Sequence, residues 1–129
     1  MTPFLRFVPM LATVALAMIG CDAMMRITIR EESTRPVLAV RGSEWPSPCT
    51  LHTLEVVALD GGATVWRIVS SGNRVRAINY PTVPAGFTEE VPPQTLRVGA
   101  EYEVRITGGS SCALAVPARF RVTAAAVGA

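Results

Sequence analysis

The sequence predicts an all-β chain folded as one two-layer sandwich, and three observations carry that reading. Beyond residue 25, apolar and polar residues alternate at period two inside segments of five to nine residues, the pattern of half-buried strands. Clusters of Gly, Pro, Asn, Asp and Ser divide these segments, and no helical periodicity lasts more than two turns, which favours stacked sheets over an α/β layout. The chain has 129 residues, enough for one ordinary domain and too few for two well-cored ones.

Composition narrows the function classes. Half the residues are apolar, 17% are charged, and Gly and Pro number 10 each, which suits a buried core joined by many turns and argues against disorder. All 12 basic residues are Arg, set against 10 acids. A balance this even gives no large positive field, so nucleic acid is not an expected partner. With one His and three Cys, neither a metal site nor a small-molecule cofactor is expected.

The amino-terminal element comes first in the chain. Arg6 is followed by 13 uncharged residues, Phe7 to Ile19, interrupted by Pro9. That is the length of a signal-peptide apolar region and short of the ~20 residues a spanning helix needs. The run ends at Met18-Ile19-Gly20-Cys21. This tetrapeptide resembles the lipobox of bacterial lipoproteins, with Met18 standing where that family prefers Leu. The resemblance implies that residues 1–20 are a lipoprotein signal peptide, that the Cys21 thiol accepts a diacylglyceryl group, and that cleavage falls on its amino side. It also implies a place in the bacterial cell envelope, anchored by lipid and facing the periplasm. Asp22 after the Cys implies the inner membrane instead of the outer. The competing readings are an ordinary secretory signal cut near Ala23, with Cys21 a bystander, and a retained helix. Residues 21–25 form a short tether whose five steps from Cys21 to Arg26 span at most ~17 Å, which holds the domain near the bilayer.

The domain proper is expected over residues 26–123. Ile27 and Ile29 alternate with Arg26, Thr28 and Arg30 as a first strand, and Pro36 to Val40 forms a second. A loop carrying Gly42, Trp45, Pro46 and Pro48 leads to a longer strand, Leu51 to Leu59, which ends at Asp60-Gly61-Gly62, a strong hairpin signal. Ala63 to Val69 returns with Trp66 and Ile68 on one face, Ser70-Ser71-Gly72-Asn73 turns it back, and Val75 to Tyr80 follows. Tyr80 to Pro93 contains Pro81, Pro84, Pro92 and Pro93. It cannot be an interior strand, since each Pro removes a ladder donor, and it reads as an edge crossing between sheets with Phe87 over the core.

The segment Leu96-Arg97-Val98-Gly99-Ala100-Glu101-Tyr102-Glu103-Val104-Arg105-Ile106 resembles the corner before the penultimate strand of fibronectin type III and immunoglobulin-like domains. The resemblance implies a tyrosine corner, with the Tyr102 hydroxyl bonded back to the backbone and its ring in the core. Arg119 to Thr123 would supply the last strand, with Phe120 and Val122 inward. Residues 124–129 are expected to fray.

Cys49 and Cys112 remain once Cys21 is acylated. In an oxidising periplasm an even pair is read as a disulfide, with free thiols or a shared metal site as the alternatives. His52 sits in an apparent strand without a nucleophile elbow nearby, and no catalytic residue is assigned. The expected role is therefore a non-enzymatic envelope lipoprotein that binds or scaffolds another envelope protein, and the short tether places its partner, protein or lipid, in the same membrane. Trp45, Val83 and Phe87 are the candidate binding residues. The alternatives are a periplasmic hydrolase using His52 with a Ser or Asp60, and a peptidoglycan- or sugar-binding module built around Trp45.

Overall fold

A computed structural model describes residues 23–109, 112–114 and 116–126. The signal peptide over residues 1–20, the lipidation site Cys21 and the last three residues of the expected tail lie outside the described residues. Among the described residues the strands are β1 (Ala23–Arg30), β2 (Val37–Arg41), β3 (Leu51–Ala58), β4 (Thr64–Asn73), β5 (Ala77–Asn79), β6 (Thr88–Val91), β7 (Glu101–Gly108), β8 (Cys112–Leu114) and β9 (Ala118–Arg121). They form a four-stranded sheet in the order β5-β2-β1-β8 and a five-stranded sheet in the order β6-β4-β3-β7-β9. The described residues are thus all-β, in two packed sheets. Among the described residues no helix is long and apolar enough to cross a membrane.

Alternation decides which side chains enter the space between the sheets. Ile27 and Ile29 from β1, Leu38 and Val40 from β2 and Ile78 from β5 meet Leu54 and Val56 from β3, Trp66 and Ile68 from β4 and Val104 from β7. Their polar sequence neighbours point outward, because successive strand residues face opposite sides. The β3–β4 hairpin closes through Asp60-Gly61-Gly62, where Gly61 and Gly62 adopt φ of 88° and 74°, a region that side chains disfavour. Trp66 is fully buried and meets Tyr80 edge-on, with ring centroids 5.0 Å apart and planes at 78°. Its Nε1 donates to Glu89 Oε2 at 2.9 Å. The Tyr80 hydroxyl donates to the Gln94 carbonyl, and burial, reinforced by the neighbouring Tyr102, pushes its phenol up to about 12.

At the corner before β7, the Tyr102 hydroxyl accepts a bond from the Arg97 amide at 3.0 Å. The Tyr102 ring is buried and lies tilted on Phe120, with centroids 5.6 Å apart. Phe120 and Val122 both point inward and are buried. The proline-rich segment is a crossing: the chain leaves the β5 edge of one sheet and enters the other sheet at its β6 edge. Pro92, Pro93 and the paired Glu89 and Glu90 blunt that outer edge against a further strand.

Four expectations need correction. Ser70 to Asn73 is not a turn, because β4 continues to Asn73, which pairs with Leu51 across an irregularity between Leu51 and Thr53. The Ser70 hydroxyl donates to the Leu51 carbonyl at 2.7 Å and accepts from the Gly72 amide at 3.1 Å. Turn-forming residues here satisfy a bulge. Second, β1 starts at Ala23 instead of Arg26, since Ala23 to Met25 pair in parallel with Cys112 to Leu114 of β8. Met25 is consequently buried, so the ordered domain reaches into the expected tether. Third, the short strands β6 and β8 were not foreseen. Fourth, the tail does not fray from its start: Ala124 bridges to Ser33, and the Ala126 amide donates to Thr34 Oγ1 at 2.9 Å.

Candidate functional site

One end of the sandwich gathers the start of β1, the β2–β3 loop, the β4–β5 connection and the start of β8. The β2–β3 loop opens at Gly42, whose φ is 92°. A Cβ there would stand 2.0 Å from the Met24 carbonyl oxygen, so only glycine lets the loop pass this close to β1. Ser43 is buried and its hydroxyl donates to the Val75 carbonyl at 3.0 Å. Cys49 is bonded to Cys112 across 63 residues of sequence, which ties the loop to β8. The expected disulfide is therefore present.

Trp45 projects from this loop and is 79% exposed. The Arg74 guanidinium carbon lies 5.5 Å from its ring centroid, within cation–π range. Arg74 is held there by the backbone: its Nη1 donates to the carbonyls of Ser43 at 2.9 Å and Ser47 at 2.6 Å. A third, longer bond reaches the Cys49 carbonyl at 3.3 Å. The indole is thus presented on a loop fixed by a disulfide and by one arginine. Sequence reasoning singled out Trp45 but missed Arg74, because nothing in Asn73-Arg74-Val75 marks a residue that binds a loop about thirty positions away.

The other candidate residues are not gathered at Trp45. Val83 and Phe87 lie in the crossing segment, half-buried and packed against the core, so their apolar surface is spent largely on the domain itself. His52 stands near the beginning of β3 with Nε2 3.3 Å from Thr50 Oγ1. Asp60 lies beyond the opposite end of β3, about 25 Å away at ~3.3 Å per strand residue, so these two do not form a pair. Among the described residues no group of three or more His, Cys, Asp or Glu is placed to hold a metal ion. An open groove of about 600 Å³ at the far end is lined by Glu31, Glu32, Arg35 and Tyr80 among others, and its charged members are exposed.

The outer face of the five-stranded sheet carries a ladder of alternating charge. Glu90 on β6 contacts Arg67 on β4 at 2.8 Å, although outside hydrogen-bond geometry. Arg67 reaches Glu55 on β3 at 3.4 Å, and Glu55 faces Arg105 on β7 at 3.9 Å. Glu103 then joins Arg105 at 2.5 Å and Arg119 on β9 at 3.0 Å. The hydrogen bond from Arg105, followed by that from Arg119, holds the Glu103 carboxyl below its ordinary value. A carboxyl depressed in the folded state stabilises the fold above its unfolded pKa, and that contribution is lost as pH falls through the folded pKa. The melting temperature of the wild-type protein should therefore fall more steeply than that of Glu103→Gln as pH drops below the usual Glu value of about 4.3. Parallel curves over the acid range would show that the ladder contributes no pH dependence.

No protein-family model matches the chain, and no curated protein matches it in sequence.

Proposed function

We propose that the protein is a membrane-tethered envelope lipoprotein, anchored through Cys21 and facing the periplasm from the inner membrane. Its immunoglobulin- or fibronectin III-like sandwich acts without catalysis, binding or scaffolding another protein of the same membrane. The observation that carries the reading is the uncharged run that ends in Met18-Ile19-Gly20-Cys21. Support for the domain type comes from the Tyr102 hydroxyl bonded to the Arg97 amide at the corner before β7. Support for an oxidising compartment comes from the Cys49–Cys112 bond. Two steps of chain separate Cys21 from Ala23, where β1 begins, about 7 Å at ~3.4 Å per step. The domain would then sit directly on the bilayer and meet membrane neighbours at high effective concentration. Labelled palmitate should enter the wild-type protein and be absent from Cys21→Ala. Equal labelling of the two would exclude acylation at this position.

A further inference from the structure

The two outer faces of the sandwich treat charge in opposite ways. On the five-stranded sheet each cation of the ladder meets a carboxylate. On the four-stranded sheet Arg26 of β1 is the register partner of Arg41 of β2, both side chains are exposed, and like charges set directly opposite each other disfavour the pair. Arg30 and Arg76 join Arg41 around a hollow of about 580 Å³ with Ala39 and Glu44. Among the described residues none of Arg26, Arg30, Arg41, Arg74 and Arg76 forms an ion pair with a carboxylate. Around the hollow itself three arginines, Arg30, Arg41 and Arg76, stand with one carboxylate, Glu44. The facing Arg26 and Arg41 repel each other in the folded domain, whereas an anionic surface laid over them would offset that repulsion.

Two further features lie on the same rim. Trp45, on the loop that follows Arg41, is exposed with Arg74 against its ring, and the outward Met24 beside Arg26 is 53% exposed. Aromatic and arginine side chains together suit a boundary that is charged above and apolar below, because each has a polar tip and an apolar body. The chain also enters here: β1 is paired from Ala23 onward, with the uncharged run Phe7 to Ile19 and Cys21 immediately before it.

We propose that the outer face of the four-stranded sheet, together with the Trp45 loop, docks on the anionic lipid headgroups of the membrane that holds the chain. This rests on the anchored reading above and adds an orientation to it. The domain lies over on its arginine face, with Arg26, Arg30, Arg41 and Arg76 at headgroup phosphates and Trp45 at the interface. The charge-balanced five-stranded face is left turned toward the periplasm. Attraction of this kind requires anionic lipid and weakens with salt.

The test uses the full chain isolated from membranes and reconstituted into vesicles, with acrylamide as a neutral quencher of tryptophan. Trp66 is buried and Trp45 is the only other tryptophan, so Trp45→Phe supplies the background signal. In phosphatidylcholine vesicles containing roughly 30% phosphatidylglycerol, quenching of Trp45 should fall about threefold relative to phosphatidylcholine alone. The protection should disappear in the double variant Arg26→Gln, Arg41→Gln, whose melting temperature reports that it is folded. Equal quenching in the two lipid mixtures would overturn the proposal. So would protection that survives in the double variant, or protection in phosphatidylcholine supplied by a co-purifying acidic protein. Palmitate labelling reads the anchor separately: a labelled chain without protection refutes the orientation alone. An unlabelled chain refutes the anchor while the lipid comparison still judges the face.

Discussion

Replacing both Cys49 and Cys112 by Ala should lower the unfolding free energy by about 4 kcal/mol, the loop-entropy value for a cross-link of this span. The bond closes 63 residues of sequence and spans the two layers. Cys112 opens β8 in the four-stranded sheet, and Cys49 lies just before β3 in the five-stranded sheet. Small domains are stable by only ~5–15 kcal/mol in total, so the loss removes a large share of the margin. Urea unfolding of the double variant beside the oxidised and reduced wild type measures it. A difference below about 1 kcal/mol would mean that the denatured chain is already compact enough for the bond to add little restriction. A local effect should accompany the global one. β8 has three residues and pairs with the first three of β1, so the Met24 and Met25 amides should exchange faster once the bond is gone.

The second large effect is expected at Trp66, where substitution by Ala should cost ~3–5 kcal/mol. Trp66 is the largest of the fully buried side chains. It stands between the sheets and contacts the crossing segment at both ends, through the Tyr80 ring and through the Glu89 carboxylate. Alanine there leaves a cavity, takes an edge-on partner from Tyr80, and frees the segment that joins the two sheets. Trp66→Phe should cost clearly less, since it keeps a ring against Tyr80 and loses one partly solvated hydrogen bond. Chemical unfolding of the three proteins decides the matter. Near-equal losses for Ala and Phe would place the energy in the indole–Glu89 bond and not in packing.

The sequence made the interior strands legible because their signals are local. Ile27 and Ile29, Leu54 and Val56, and Trp66 and Ile68 each announce a buried face by alternation, and Asp60-Gly61 announces the turn between β3 and β4. The Tyr102 corner was legible for the same reason, since the hydroxyl and its Arg97 partner are five positions apart. What escaped notice depends on partners distant in sequence. Ala23 to Met25 look like a linker until β8, almost ninety residues on, supplies their ladder. Ser70 to Asn73 have the composition of a turn, and only the Leu51 carbonyl across the sheet makes them a bulge. The candidate site divides along the same line. Trp45 and the cysteine pair could be named from composition and spacing. The grip of Arg74 on the Trp45 loop, and the unpaired arginines around it, arise from pairings that no local pattern encodes. The near-neutral net charge concealed them further, because the paired and unpaired arginines count alike in the total.

The parallel pairing of β1 with β8 also sets how the domain meets mechanical force. A pull at Ala23 along the strand axis acts on β1, which is hydrogen-bonded to β2 on one side and to β8 on the other. Those bonds lie across the pull, so tension strains many of them together in shear instead of unzipping them one by one. β8 is itself joined covalently through Cys112 to Cys49, at the threshold of β3. Tension entering at Ala23 thus passes within one strand's width into a cross-link that reaches the opposite layer.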